Sequence, residues 1–550
     1  LISIIFLEEE LLMEDLKQWY STYPEHIPNE VVIPPISVSE MFQQTVQIYG
    51  EHEAVSFYGI RLTYNEIAKM VFAFASSLQQ SGVQKGDRVA IMLPNCPQYI
   101  VSYFGALTVG AIVTQINPML VERELEYIVN DSGSETIVVL DALYPRIKAI
   151  QLKTNLKNII TVSLQPTEKN QPEDYTFDRF LAKQTGQVFP VECEPEHDIA
   201  VLQYTGGTTG RSKGAMLTHK NIVANAVQSY EFFKDEIELG KEKCLTVIPL
   251  FHVFGMSSCM NLSILCGNSM IMLPRFDLEE VLQTIKHEQP SLFPGVPTMY
   301  VAITNHPNAE DYGIDSIRIC NSGSAPMPVE LLKEFERKTG AKILEGYGLS
   351  EASPTTHCNP AFAGRKPGTV GLGMPSTAYK IVDVGTGTQE VARGKLGELI
   401  IKGPQVMKGY WNMPEETAVA LRNGWLFTGD IARMDNEGYV SIVDRKKDLI
   451  IASGYNIYPR DIEEVLYEHP SVQEAVVIGV PDQYRGETVK AFIVLKAGKT
   501  ATSDEIILYC RQHLASFKVP KYIDFREALP KTNVGKILRR ALRDETVKNK

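Results

Sequence analysis

The chain has 550 residues, enough for two to four domains of ordinary size around large cores. Its 54 basic and 66 acidic residues give a formal net charge of −12, which offers no global field to nucleic-acid phosphates. A hydrophobic fraction of 44% with 22% charged residues excludes both a disordered chain and a multi-span membrane protein.

Residues 1–7 are almost all apolar, but no basic residue precedes them and Glu8, Glu9 and Glu10 follow, which is not a secretory signal. Residues 1–12 read as an upstream extension, with Met13 as the expected start. Thr63 and Glu66 form a capping box, Ile67, Met70, Val71, Phe74 and Leu78 follow at helical spacing, and Gly82 supplies the stop. Residues 88–93 read as a buried strand and 97–113 as a second, mostly apolar helix, so the N-terminal part has the pattern of α/β layers. Residues 161–198, rich in Pro, Glu, Gln and Asp, are expected to form an exposed excursion. Residues 244–274 contain no Lys, Arg, Asp or Glu; because Pro249, His252, Asn261, Gly267 and Asn268 interrupt the run, a buried wall is expected rather than a membrane span. The eight cysteines are scattered, with no CxxC pair and no HExxH, as in reduced cytosolic proteins.

Five consecutive charges, Asp444-Arg445-Lys446-Lys447-Asp448, separate a strand-like 439–443 from the segment 450–457 and mark a hinge. Downstream, Pro459 opens a helix, 475–480 and 489–495 read as strands, and Thr502 with Glu505 caps a further helix, which together make a compact α+β domain. The expected division is therefore 1–446 and 447–550.

The stretch Tyr204-Thr205-Gly206-Gly207-Thr208-Thr209-Gly210-Arg211-Ser212-Lys213-Gly214 follows the apolar strand 199–202. Its glycines allow close backbone approach, its hydroxyls add donors, and Arg211 and Lys213 add positive charge, a composition suited to a polyphosphate. The spacing does not fit GxxxxGK[ST], and no GxGxxG occurs, so neither a Walker NTPase nor a Rossmann dehydrogenase is indicated.

This loop resembles the phosphate loop of the adenylate-forming superfamily, and further signatures stand in that family's order. They are Gly346-Tyr347-Gly348-Leu349-Ser350-Glu351, Trp425-Leu426-Phe427-Thr428-Gly429-Asp430, the 444–448 charge run, Gly454-Tyr455-Asn456 and Pro530-Lys531-Thr532-Asn533-Val534-Gly535-Lys536. The opening around Trp19 and Tyr23-Pro24, together with the phrases at 203–207 and 402–411, look most like bacterial long-chain fatty acid–CoA ligases. The resemblance implies a large N-terminal α/β domain of layered sheets and helices with a small mobile α+β C-terminal domain. It implies activation of a fatty acid by ATP to acyl-AMP, then transfer to coenzyme A, with Mg²⁺ as cofactor. Two departures leave that reaction class intact: Arg211-Ser212 stands where relatives often have a residue and Pro, and Ser350 where many have Thr.

By the same resemblance, Glu351 helps hold Mg²⁺, with Thr205 beside it, and Thr205, Thr208, Thr209 and Lys213 steady the phosphates within the glycine loop Gly206, Gly207, Gly210. Lys536 reaches the α-phosphate and the attacking carboxylate. Gly323, Ser324, Ala325, Glu345, Gly346 and Tyr347 flank the adenine, alongside Gly348 and Ser350. Asp430 takes the ribose hydroxyls with Arg445 as partner, Lys447 is the hinge, and Gly454 lines the pantetheine tunnel. His252 orients the acid or gates the acyl tunnel. Amino-acid-activating relatives need a carboxylate in the 244–274 wall to pair the substrate ammonium; its absence here favours an uncharged acyl chain, and Gly255, Ser257, Ser258 and Gly267 either leave room for its tail or ease helix packing.

Two other readings stay open on sequence: an acyl-AMP or aryl-acid ligase that delivers to a different thiol acceptor, and a non-catalytic acyl binder. The expected partners are the small-molecule substrates, not nucleic acid, with a homodimer and peripheral contact at the inner membrane face both compatible with a cytoplasmic enzyme.

Overall fold

The computed structural model describes residues 22–164, 175–184, 186–189, 191–205, 212–361, 364–446, 448–452, 455–482, 485–532 and 537–548. The expected extension and its Met13 start lie outside these residues.

The capping box at Thr63 forms as read: its side chain accepts from the Glu66 amide, Glu66 returns a bond to the Thr63 amide, and the helix Tyr64–Gln80 follows. Arg88–Met92 is a buried strand of a largely parallel sheet, flanked by Ile112–Gln115 and Thr136–Leu140. The helix expected over 97–113 is shorter, Pro97–Thr108; Gly110 turns the chain with φ +71, and the apolar residues after it form the strand Ile112–Gln115. A short apolar run carries no period to separate helix from strand, and here the sheet takes it. The 161–198 excursion is also corrected in part. Tyr175–Thr176 adds an edge strand, and Phe177 and Phe180 in the short helix Phe177–Leu181 are buried against Phe74.

Among the described residues this first sheet runs, in spatial order, Gly409–Tyr410, Lys213–Thr218, Ile199–Thr205, Ile112–Gln115, Arg88–Met92, Thr136–Leu140, Asn158–Val162 and Tyr175–Thr176. A second sheet carries the parallel strands Ser269–Met272, Lys243–Thr246, Leu292–Gly295, Ile319–Ser322 and Lys342–Gly348. Side chains alternate across the first sheet: Val89 and Ile91 join the main core shared with the second sheet, whereas Ala90 and Met92 pack under the helices on the outer face. The uncharged stretch 244–274 builds a buried wall, with the strand Lys243–Thr246, a π-helical segment Gly255–Asn261 and the strand Ser269–Met272. No helix among the described residues is long and apolar enough to cross a membrane. All eight cysteines are free thiols.

A third, antiparallel sheet includes Gly397–Lys402, Trp425–Met434 and Val440–Arg445. Beyond it the small domain has its own sheet, centred on Val472–Asp482 and Gly486–Leu495, with a core on each face. Ala475, Val477, Ala491 and Ile493 face Ile462, Leu466, Ile506 and Cys510, while Val476, Ile478, Phe492 and Val494 face Leu529 and Leu542.

Candidate active site

The parallel strands of both large sheets end at one cavity of about 1310 Å³, and its lining includes the carboxyl ends Gln115, Gln203 to Thr205, Asn321, Ser322 and Glu345 to Gly348. Loops leaving the ends of parallel strands are where an α/β layer can present backbone and side chains without disturbing its core. The sequence-predicted residues Thr205, Lys213, His252, Gly323, Ser324, Ala325, Glu345, Gly346, Tyr347, Gly348, Ser350, Glu351, Asp430 and Arg445 all line it. Gly206, Gly207, Thr208, Thr209, Gly210, Arg211, Lys447, Gly454 and Lys536 lie outside the described residues.

On one side, Gly409–Tyr410 pairs antiparallel with Lys213–Thr218, and the Trp411 amide donates to the Gly214 carbonyl at 2.7 Å. This pairing carries Tyr410 and the following helix Pro414–Ala420 onto the strand Lys213–Thr218. Lys213 Nζ forms an ion pair with Glu416 and lies 5.2 Å from the centre of the Tyr410 ring, while Tyr410 Oη donates to Glu351 Oε1 at 2.7 Å. Burial, and then the nearby Glu351 carboxylate, raise the Tyr410 phenol well above its ordinary pKa, so it remains a donor. Asp131 ties the end of the strand Ile199–Thr205 to Trp411: its carboxylate accepts from Tyr204 Oη at 2.6 Å and its carbonyl accepts from Trp411 Nε1 at 2.9 Å.

On the opposite side, Asp430 is 3% exposed and both its oxygens are engaged. Tyr347 Oη donates to Oδ2 at 2.6 Å, and Arg445, its cross-strand neighbour, places Nε 2.9 Å from Oδ1. Asp430 in turn raises the Arg445 pKa. Glu345 is buried, which lifts its pKa to about 7 although the Gly368 amide donates to it at 2.9 Å. Its neighbour His357, wholly buried behind Tyr347, is pushed down to about 3 by burial and stays neutral.

Another wall of the cavity is apolar, with Phe251, Val253, Phe254, Val301, Ala302 and Leu331 around half-buried His252, whose Nδ1 accepts from the Phe254 amide at 3.2 Å. The expectation that Gly255, Ser257, Ser258 and Gly267 make room for a tail is corrected, since none of them lines the cavity. A Cβ at Gly255 would stand 2.3 Å from the Pro249 carbonyl oxygen, Ser257 Oγ donates to the Ser353 carbonyl at 2.5 Å, and Gly267 ends a helix in the left-handed region with φ +67. The small size of Gly255 serves neighbouring backbone, and that of Gly267 the Tyr49 ring.

The small domain closes the cavity with Arg460, Glu474, Lys531, Thr532, Ile537 and Arg539. Lys531 and Ile537 form an antiparallel bridge, and both line the cavity. Glu416, Tyr410 and Asp444 carry contacts that no local pattern disclosed; the one available signal was that Tyr410 falls within the phrase 402–411.

Residues 42–411 match the family described as AMP-binding enzyme, and 461–536 match the AMP-binding enzyme C-terminal domain. The chain belongs to the AMP-binding enzyme family. It is 48% identical to the long-chain-fatty-acid–CoA ligase of Bacillus subtilis, over 98% of this chain and 99% of that one. It is 38% identical to the corresponding ligase of Escherichia coli O157:H7, over 96% and 98%. The fold overlays on ATP-bound MatB from Rhodopseudomonas palustris with a TM-score of 0.84 at 30% identity, covering 93% of this chain and 99% of that one. Against apo MatB, with 94% and 99% covered, the score is 0.74. A Mycobacterium tuberculosis fatty acyl CoA synthetase gives 0.73 at 29% identity, with 93% and 99% covered.

Proposed function

We propose that this enzyme activates a long-chain fatty acid with ATP and passes it to coenzyme A, with residues 1–446 binding nucleotide and acid and residues 447–550 moving between two orientations. The observation that carries the reading is the one cavity shared by the Lys213/Glu351 side, the Asp430/Arg445 side, an apolar wall and the small-domain residues Lys531, Thr532 and Ile537.

In the first step a fatty-acid carboxylate oxygen attacks the α-phosphorus, the bond to the β-phosphate oxygen breaks, and pyrophosphate leaves with the electron pair. Two anions about 4 Å apart repel by roughly 4 kcal/mol at a protein surface, so cations must precede chemistry. Thr205, Gly206, Gly207, Thr208, Thr209, Gly210 and Lys213 hold the phosphates, and Lys536 bridges the α-phosphate and the carboxylate. Asp430 and Arg445 hold the ribose. Gly323, Ser324, Ala325 and the 345–348 strand end receive the adenine, with Tyr347 against its face and Ser350 closing the edge. His252 orients the acid.

Mg²⁺ is a hard ion that takes oxygen donors, and the Glu351 carboxylate with the Thr205 hydroxyl fits it. When bound, it neutralises phosphate charge. In the second step the small domain turns about Lys447, Gly454 admits the pantetheine, the thiolate sulfur attacks the acyl carbonyl and the C–O bond to AMP breaks. The absence of acidic residues in the 244–274 wall favours an uncharged chain over an amino acid. A homodimer and contact with the inner membrane face in the cytoplasm are compatible with this chemistry.

Lys536→Ala tests the reading. It should abolish acyl-AMP formation from ATP and C12 to C18 acids while sparing most of the thioester formed from supplied acyl-AMP and CoA. Equal loss of both steps would refute the two-orientation scheme, and acyl-AMP without thioester in the native enzyme would favour a different acceptor.

A further inference from the structure

The helix Pro459–Glu468 opens the small domain, and its own N-cap residue, Tyr458, makes no side-chain capping bond. The first amides of a helix need acceptors and carry partial positive charge. Here an acceptor comes from the other domain: the Arg460 amide donates to Asp444 Oδ2 at 3.2 Å, while Oδ1 accepts from the Arg445 amide at 2.7 Å. Arg460 also donates through its guanidinium to the Ile442 carbonyl, on the strand that carries Asp444. Arg539, from the C-terminal helix, approaches Asp444 at 3.6 Å.

The remaining charges of this cluster belong to the small-domain side. Arg539 is held by both oxygens of Glu463 at 2.7 Å and lies 3.6 Å from Asp448, which Arg543 contacts at 2.8 Å. Those pairs would travel with the small domain when it turns, whereas the bonds to Asp444 and to the Ile442 carbonyl would break. Within the 444–448 charge run, Asp444 and Asp448 are both buried.

We infer that Asp444 is a positioning residue: by capping the Pro459–Glu468 helix across the domain boundary and facing Arg539, it holds the small domain in the orientation that forms acyl-AMP. The inference rests on the two-orientation reading above. Asp444 makes no contact with the reacting atoms in that scheme. Its carboxylate stabilises one orientation selectively, because a water-exposed Asp444 and a helix end capped by water replace the contact in the other. The overlay, closer to the ATP-bound relative than to its apo form, agrees with this orientation being the one described here.

The test measures the two half-reactions separately, as CoA-independent pyrophosphate release in a single turnover and as thioester formation from supplied acyl-AMP. Asp444→Ala should slow the first by about tenfold or more and change the second by less than twofold. Asp444→Asn keeps a capping oxygen but loses the charge toward Arg539 and should fall between Asp444→Ala and the native enzyme. An unchanged first step, or equal losses in both with no recovery in Asp444→Asn, would overturn the assignment. Lys536→Ala, run alongside, separates the two failures. If it splits the half-reactions and Asp444→Ala does not, the capping role fails alone; if Lys536→Ala does not split them, the two-orientation reading fails.

Discussion

Glu345→Gln should make the large domain more stable, and increasingly so as pH rises. The Glu345 carboxyl is 6% exposed, and burial lifts its pKa from 4.5 to about 7, against the opposing pull of the Gly368 amide and of Arg460 and Arg365. A carboxyl whose folded pKa lies above its unfolded one contributes stability that is fully present below the unfolded value and is lost as pH rises through the folded value. At about 1.36 kcal/mol per unit, ionising it above pH 7 costs on the order of 3 kcal/mol, of which about 1.5 kcal/mol should develop between about pH 6 and pH 8.5. Glutamine keeps the shape and a carbonyl to accept the Gly368 amide, and does not ionise. Urea unfolding of both proteins at several pH values, read by large-domain tryptophan fluorescence, gives the stability difference directly. A gap that is constant across this range, or that closes at high pH, would refute the argument that burial governs this carboxyl.

Asp430→Ala removes the acceptor for Tyr347 and the partner of Arg445, a loss of charge-assisted bonds of about 2 kcal/mol, and should raise the ATP KM about 30-fold in steady-state assays. Gly255→Ala drives a methyl group to 2.3 Å from the Pro249 carbonyl oxygen, which should cost roughly 1–3 kcal/mol in denaturant unfolding. Because Gly255 does not line the cavity, the acyl chain-length profile of that variant should match the parent's, measured over a panel of acids.

Much of this architecture is written locally. The Thr63/Glu66 and Thr502/Glu505 boxes announce the helices Tyr64–Gln80 and Ser503–His513, because a cap is satisfied within four residues. The 346–351 motif and Asp430 are legible as cavity residues, because motif residues lie close together in the chain, whereas residues 206–211 of the glycine loop lie outside the described residues. What the sequence does not disclose is set by distant pairing. Ile112–Gln115 becomes a strand because Arg88–Met92 and Ile199–Thr205 flank it, not because of its own period. Phe177 and Phe180 are buried by Phe74, a partner that polar surroundings conceal. Tyr410 meets Glu351, and Asp444 meets Arg460 and Arg539, only once separate sheets and domains have assembled. Gly255 and Gly267 illustrate the opposite error: small residues beside an apolar pocket suggest empty volume, but both are small for the sake of neighbouring backbone and the Tyr49 ring.

The two cores on opposite faces of the small-domain sheet let that lobe hold together on its own apolar contacts. The turn proposed for that lobe would exchange ionic and polar contacts for hydration while the lobe keeps its own cores. Contacts of that kind weaken as ions accumulate, whereas cores do not. Under the two-orientation proposal, ionic strength should therefore act as a dial of catalytic phase, tilting occupancy between the nucleotide-facing and thiol-facing halves of the cycle without loosening either lobe.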